Sequence, residues 1–120
     1  MKPDDASNQR PAGYVLGRLY LTIETLCLGP GDIRSRLETA ARHHLIPVVR
    51  VKDFPGDLQE DYKWIIEQLT RYSAPTIYTG DDRDDRLKWT TQRIRRKTGV
   101  KIATRILALF RKVRDLESGK

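Results

Sequence analysis

Arg86, Trp89, Arg93, Arg96 and Lys97 are the residues whose types and spacing most plainly offer chemistry. They fall on one side of a helix if the chain advances about 100° per residue from Asp84 to Thr98. Guanidinium and ammonium groups displace counterions from phosphates, and an indole between them offers a base a surface to stack on. The next helix adds Lys101, Arg105 and Lys112 in one stripe. Between Arg83 and Arg114 stand twelve Lys/Arg against two acids, a local charge of +10 in a chain whose total is +7. Charge segregated in this way speaks of partners more than of fold. The competing account is a solvated face whose arginine stems shield apolar surface.

A second group carries the opposite sign. Asp57, Glu60, Asp61, Glu67 and Gln68 surround Trp64 on the outer side of a third helix. A tryptophan outside the packing seam and ringed by acids is a candidate protein interface, here drawn around Trp64, Asp57 and Asp61. It could meet the basic face of its own chain or of another copy, or simply lie across the edge of the bundle.

The other reactive side chains lead to no catalytic site. His43 and His44 are adjacent, so a helix points them about 100° apart and they cannot share a metal. His44 falls on the inner stripe and is expected as a hydrogen-bonded core histidine. His43 shares a face with Arg36, and that pair resembles the minimal kit of some helical ribonucleases, with His moving the proton and Arg holding the phosphate. No flanking polar pattern accompanies the pair, and coincidence accounts for it. Gly29-Pro30-Gly31 lacks the Lys-Ser/Thr and the preceding strand of a phosphate loop. Cys27 is the one cysteine, expected on the packed side of the first helix as a small core residue. No catalytic residue, metal site or cofactor is expected, and the chain resembles no characterised family.

Helices must position these groups. Ala12 to Leu28 is apolar on both sides, with Leu16, Leu19, Tyr20, Ile23, Leu26 and Cys27 on one and Tyr14, Leu21 and Leu28 on the other. Such a helix is expected to be central and buried on both sides. Gly29 can take the left-handed C′ position and Asp32 can cap a second helix, about Ile33 to Ile46, with Ile33, Leu37, Ala40, Ala41 and His44 inward. The short connection predicts an antiparallel hairpin. Val48 to Asp53 is read as a connector whose valines tuck inward. The third helix runs about Pro55 to Arg71 on the seam Leu58, Tyr62, Ile65, Leu69. Tyr72 to Asp82 is an irregular loop. The fourth helix runs about Asp84 to Thr98 with only Leu87 and Ile94 apolar, and Gly99 is a stop or a weak point in one longer helix. The last runs about Val100 to Leu116 on Ile102, Ile106, Leu109, Val113 and Leu116.

The 120 residues suit one domain with a real core. The expected fold is all-α, a single bundle of four to five helices over residues 12–117, after a disordered polar tail over residues 1–11. No run is long and apolar enough to span a bilayer, the start is no secretory signal, and a single cysteine fits a reducing cytoplasm. A membrane-surface role is disfavoured because the basic face lacks a broad apolar neighbour. The sequence thus predicts a small, non-enzymatic, bacterial-type cytoplasmic binding protein that associates with DNA or RNA. The alternative is a protein-interaction or self-assembly module using the Trp64 and Trp89 faces.

Overall fold

The computed structural model describes residues 11–72 and 82–119. Among these the chain is all-helical and without strands, with five α-helices: α1 (Ala12–Leu28), α2 (Ile33–Ala40), α3 (Gly56–Leu69), α4 (Asp82–Arg93) and α5 (Arg96–Ser118). The polar tail and most of the expected Tyr72–Asp82 loop lie outside the described residues.

α1 matches its predicted bounds, but its burial is one-sided. Val15, Leu19, Thr22 and Leu26 are buried, Thr22 satisfying its hydroxyl on the Arg18 carbonyl at 2.8 Å. Tyr20 and Leu28, expected inside, are 55% and 77% exposed, and Cys27 is exposed rather than packed. An apolar residue on every side of a helix does not say which sides find neighbours. Here the other helices cover one side of α1 only.

The turn after α1 departs from expectation in its detail. Gly29 is extended, and its N–H still closes the helix on Thr25 O at 2.8 Å. The left-handed residue is Gly31, with φ +86°, where any side chain would be strained. Asp32 then caps α2 as predicted, accepting from the N–H groups of Arg34 and Ser35 at 2.9 and 3.3 Å. After Ala40 the helix widens into a π turn, Ala41–Leu45, closed by Ile46 N–H on Ala41 O at 2.9 Å. That extra residue turns Leu45 and Ile46 into the core with Leu37, Ala40 and Ala41.

The connector behaves as predicted. Val49 is buried, Val48 and Val51 pack against the core, and Val51–Asp53 forms one 3₁₀ turn. Pro55 precedes α3, whose seam Leu58, Tyr62, Ile65 and Leu69 is buried throughout. Tyr62 donates to the Val49 carbonyl at 2.8 Å and stacks on Phe54, so its polar end is satisfied inside. α3 stops at Leu69, short of the expected Arg71, where the Thr70 hydroxyl takes the Ile66 carbonyl at 2.7 Å.

The largest correction concerns the two basic helices. The chain breaks at Ile94 and Arg95, not at Gly99. Arg95 is extended, and the Ile94 carbonyl accepts from the Arg34 guanidinium at 3.2 Å. Gly99 lies inside α5, buried, where an added Cβ would sit 3.1 Å from Ile33 Cγ2. The glycine is there for close approach of α5 to α2, not to end a helix. Ile102, Ile106, Leu109 and Val113 are buried, whereas Leu116 at the end of the predicted seam is exposed. α5 packs on α1, α2 and α3, and so carries the centre that the sequence pattern assigned to α1.

Candidate nucleic-acid interface

The break at Ile94–Arg95 divides the predicted basic face. α4 keeps Leu87, Thr90 and Thr91 inward, with Ile94 buried just past its end, and Lys88, Gln92 and Arg93 outward. Trp89 is half-buried, with the Arg93 guanidinium 3.5 Å above its ring centre. That cation–π contact makes one unit of the two residues. Arg86 leaves the group. It is half-buried and donates to the Thr70 carbonyl at 3.2 Å, serving the C-terminal end of α3.

Arg96 and Lys97 belong to the first turn of α5 and follow a different axis. Arg96 stands 3.5 Å from Asp32, which Arg34 already holds at 2.8 Å. Hydrogen bonding from Arg34 brings the Asp32 carboxyl down to about 2, so it is ionised at neutral pH. Asp32 thus caps α2 and anchors two arginines beside the α4–α5 junction. The cap was legible in the sequence. The arginine cluster was not, because Arg34 reaches a carbonyl sixty residues away.

Down the outer side of α5 run Lys97, Lys101 and Arg105, each one turn from the last and each exposed. Arg105 lies 4.4 Å over the Trp64 ring centre, and Lys101 lies 6.0 Å from it. Trp64 is half-buried between α3 and α5, outside the seam as its angle on α3 predicted. Its partners are the cations of the same chain. Lys112 ends the stripe and is tied to Asp61 at 2.9 Å. Asp57, exposed in the first turn of α3, shares a shallow hollow with Lys112 and Asp115. So an acid of α3 meets a base of α5 within one molecule at Asp61–Lys112, and cations of α5 cover the Trp64 ring. Lys97, Lys101 and Arg105 remain outward.

The two histidines separate as their spacing required, with ring centres 6.2 Å apart in the π turn. His43 is exposed. His44 is half-buried, but its Nδ1 is buried without a partner among the described residues, contrary to the expected hydrogen-bonded histidine. Burial, then the nearby Arg18 and His43, push its pKa below the ordinary 6.5. Arg36 donates to the Leu26 carbonyl at 3.2 Å, so its guanidinium serves the end of α1 rather than a phosphate beside His43. Among the described residues no group of three or more His, Cys, Asp and Glu could hold a metal, and no helix is long and apolar enough to cross a membrane.

No family model matches the chain, and neither the curated proteins nor the solved structures provide a match.

Proposed function

We propose that this chain is a non-enzymatic binding protein of the cytoplasm that associates with DNA or RNA through the outer side of α5 and the adjoining end of α4. Its frame is a helical bundle opened by an antiparallel hairpin of α1 and α2. The observation that carries the reading is the stripe Lys97, Lys101, Arg105. It is solvent-facing along a helix whose other side, Ile102, Ile106 and Leu109, is buried and fixed. Arg96 and the Trp89–Arg93 unit extend the stripe past the helix junction, and Lys112 extends it toward Asp61. A row of cations on a rigid helix suits a phosphate backbone, which sets affinity without reading sequence. A lone exposed cysteine is kept as a thiol in a reducing compartment.

The test is fluorescence anisotropy with duplex and single-stranded probes across a salt series. With about five cations on phosphates, the log–log slope on duplex DNA is about −4 to −5. Lys97→Ala and Lys101→Ala each flatten it by about one unit and weaken all sequences alike. Trp89→Ala weakens single strands most, by about 1–3 kcal/mol, if a base joins the Trp89–Arg93 stack. Absence of binding by either probe at about 50 mM salt refutes the reading. The alternative, self-assembly through the Trp64 and Trp89 faces, draws on both indoles being only half-buried. It predicts a dimer in light scattering that weakens with salt and is lost in Trp64→Glu.

A further inference from the structure

One face of the molecule is apolar and open, and of the basic stripe only Lys97 borders it. A groove runs between α1 and α5, walled by Ile23 and Cys27 on one side and by Val100, Ala103 and Leu107 on the other, with Ile33 closing one end. Cys27 is exposed, and Val100 is 55% exposed. Tyr20, one turn from both Ile23 and Glu24 on the outer side of α1, adds to the apolar surface. A helix that is apolar all round is normally covered all round, and α1 is covered on one side only.

The charges around the groove are unequal on its two sides. On the α5 side stand Lys97 and Arg111, both exposed. They lie fourteen residues apart on the helix, or about 21 Å at the usual rise per residue. Arg96 and Arg114 add cations at the same two ends, each with an acid nearby. On the α1 side the exposed Glu24 is the acid beside Tyr20. Two molecules of charge +7 each repel one another, which opposes a second copy in the groove. The first ten residues, MKPDDASNQR, hold no apolar residues at helical spacing to fill the groove. We propose that the α1–α5 groove binds an amphipathic helix of a partner protein, apolar on the buried side and acidic on the edge facing α5. Two antiparallel helices, with Gly13 beside Glu117 at one end and Cys27 beside Val100 at the other, and an apolar trough between them receive a third in the same way that groove-binding peptides dock. The acids of the partner meet Lys97 at one end and Arg111 at the other. This inference is independent of the nucleic-acid reading.

Cys27 is the one thiol in the chain and lies in the groove wall, so it reports occupancy locally. The rate of its modification by a maleimide is measured on the full chain. Two synthetic helical peptides of about five turns serve as probes, both with leucine at helical spacing, one otherwise rich in Glu and the other in Lys. The Glu peptide is expected to slow modification about tenfold at a concentration about ten times its Kd, and the Lys peptide to leave it unchanged. Val100→Glu, at an exposed position, abolishes the protection while circular dichroism shows an unchanged melt. Arg111→Glu weakens it. Equal protection by both peptides, or by neither, overturns the proposal. So does protection that survives in Val100→Glu. A thiol already slow to react without peptide, together with a dimer in sedimentation, shows that a second copy covers the groove and overturns it as well.

Discussion

Leu19 is fully buried at the contact of α1 with the core, and Leu19→Ala is expected to cost about 2–5 kcal/mol in denaturant melts. Two glycines respond differently to the same substitution. Gly17 has nothing within 4 Å of a Cβ position, mid-helix, so Gly17→Ala stabilises α1 by about 0.5–1 kcal/mol. Gly99→Ala sets a Cβ 3.1 Å from Ile33 Cγ2, so it should stabilise less than Gly17→Ala when the two melts are compared. His44 supplies the pH dependence. Its folded pKa lies below the ordinary 6.5, so the unfolded chain takes up the proton first. The stability it contributes is present above that ordinary value and is lost as pH falls below it. His44→Gln should therefore flatten the melting temperature between neutral and mildly acidic pH, a comparison that calorimetry makes directly. Asp32 acts in the same direction at lower pH, where its contribution is lost between 3.8 and about 2.

At the scale of elements, Arg86 and Arg34 act as clasps rather than as parts of a binding face. Each gives a guanidinium N–H to a helix-terminal carbonyl, Thr70 and Ile94 respectively. Arg86→Met should cost about 1–3 kcal/mol and raise amide exchange in α4 without altering the salt slope for nucleic acid. The sequence was most legible where periodicity and caps act locally. The bounds of α1, the Asp32 cap, the tucked valines and the buried seam of α3 all follow from spacing and residue type. The break at Ile94 was not legible, because it depends on Arg34 capturing a carbonyl and on Gly99 closing against Ile33. Both are contacts between elements distant in sequence. The π turn was hidden for a similar reason, since nothing in ARHHL marks the extra residue. In the candidate site, helical angle placed Trp64 outside the seam, and it assigned the acids of α3 and cations of α5 to outer faces. It could not place α3 beside α5, and so it missed Arg105 over Trp64 and Lys112 on Asp61. The single basic face failed for that same reason. A face defined by one helix axis does not survive a change of axis at Arg95.

For the whole molecule, charge and apolar surface are separated onto different sides of one helix. The outer stripe of α5 is cationic, its inner side is the core, and the edge beside α1 is the apolar groove. The two proposed surfaces share Lys97 and little else, so Lys101→Ala should weaken nucleic acid while leaving Cys27 protection intact. Val100→Glu should remove that protection and, through a carboxylate one turn from Lys97, also weaken nucleic acid. That α5 packs on α1, α2 and α3 also has a consequence for biosynthesis. It is the last of these helices to leave the ribosome, and the three before it emerge with Val15, Leu37 and Ile65 lacking the partners that will cover them. Domains acquire their structure as units during translation, and this unit is incomplete until the chain has passed Val113. Nascent chains arrested before Gly99 should stay protease-sensitive and bind hydrophobic dyes, and protection should arrive in one step once α5 clears the exit tunnel. The helix that carries the charge thereby also sets the moment at which the protein becomes folded.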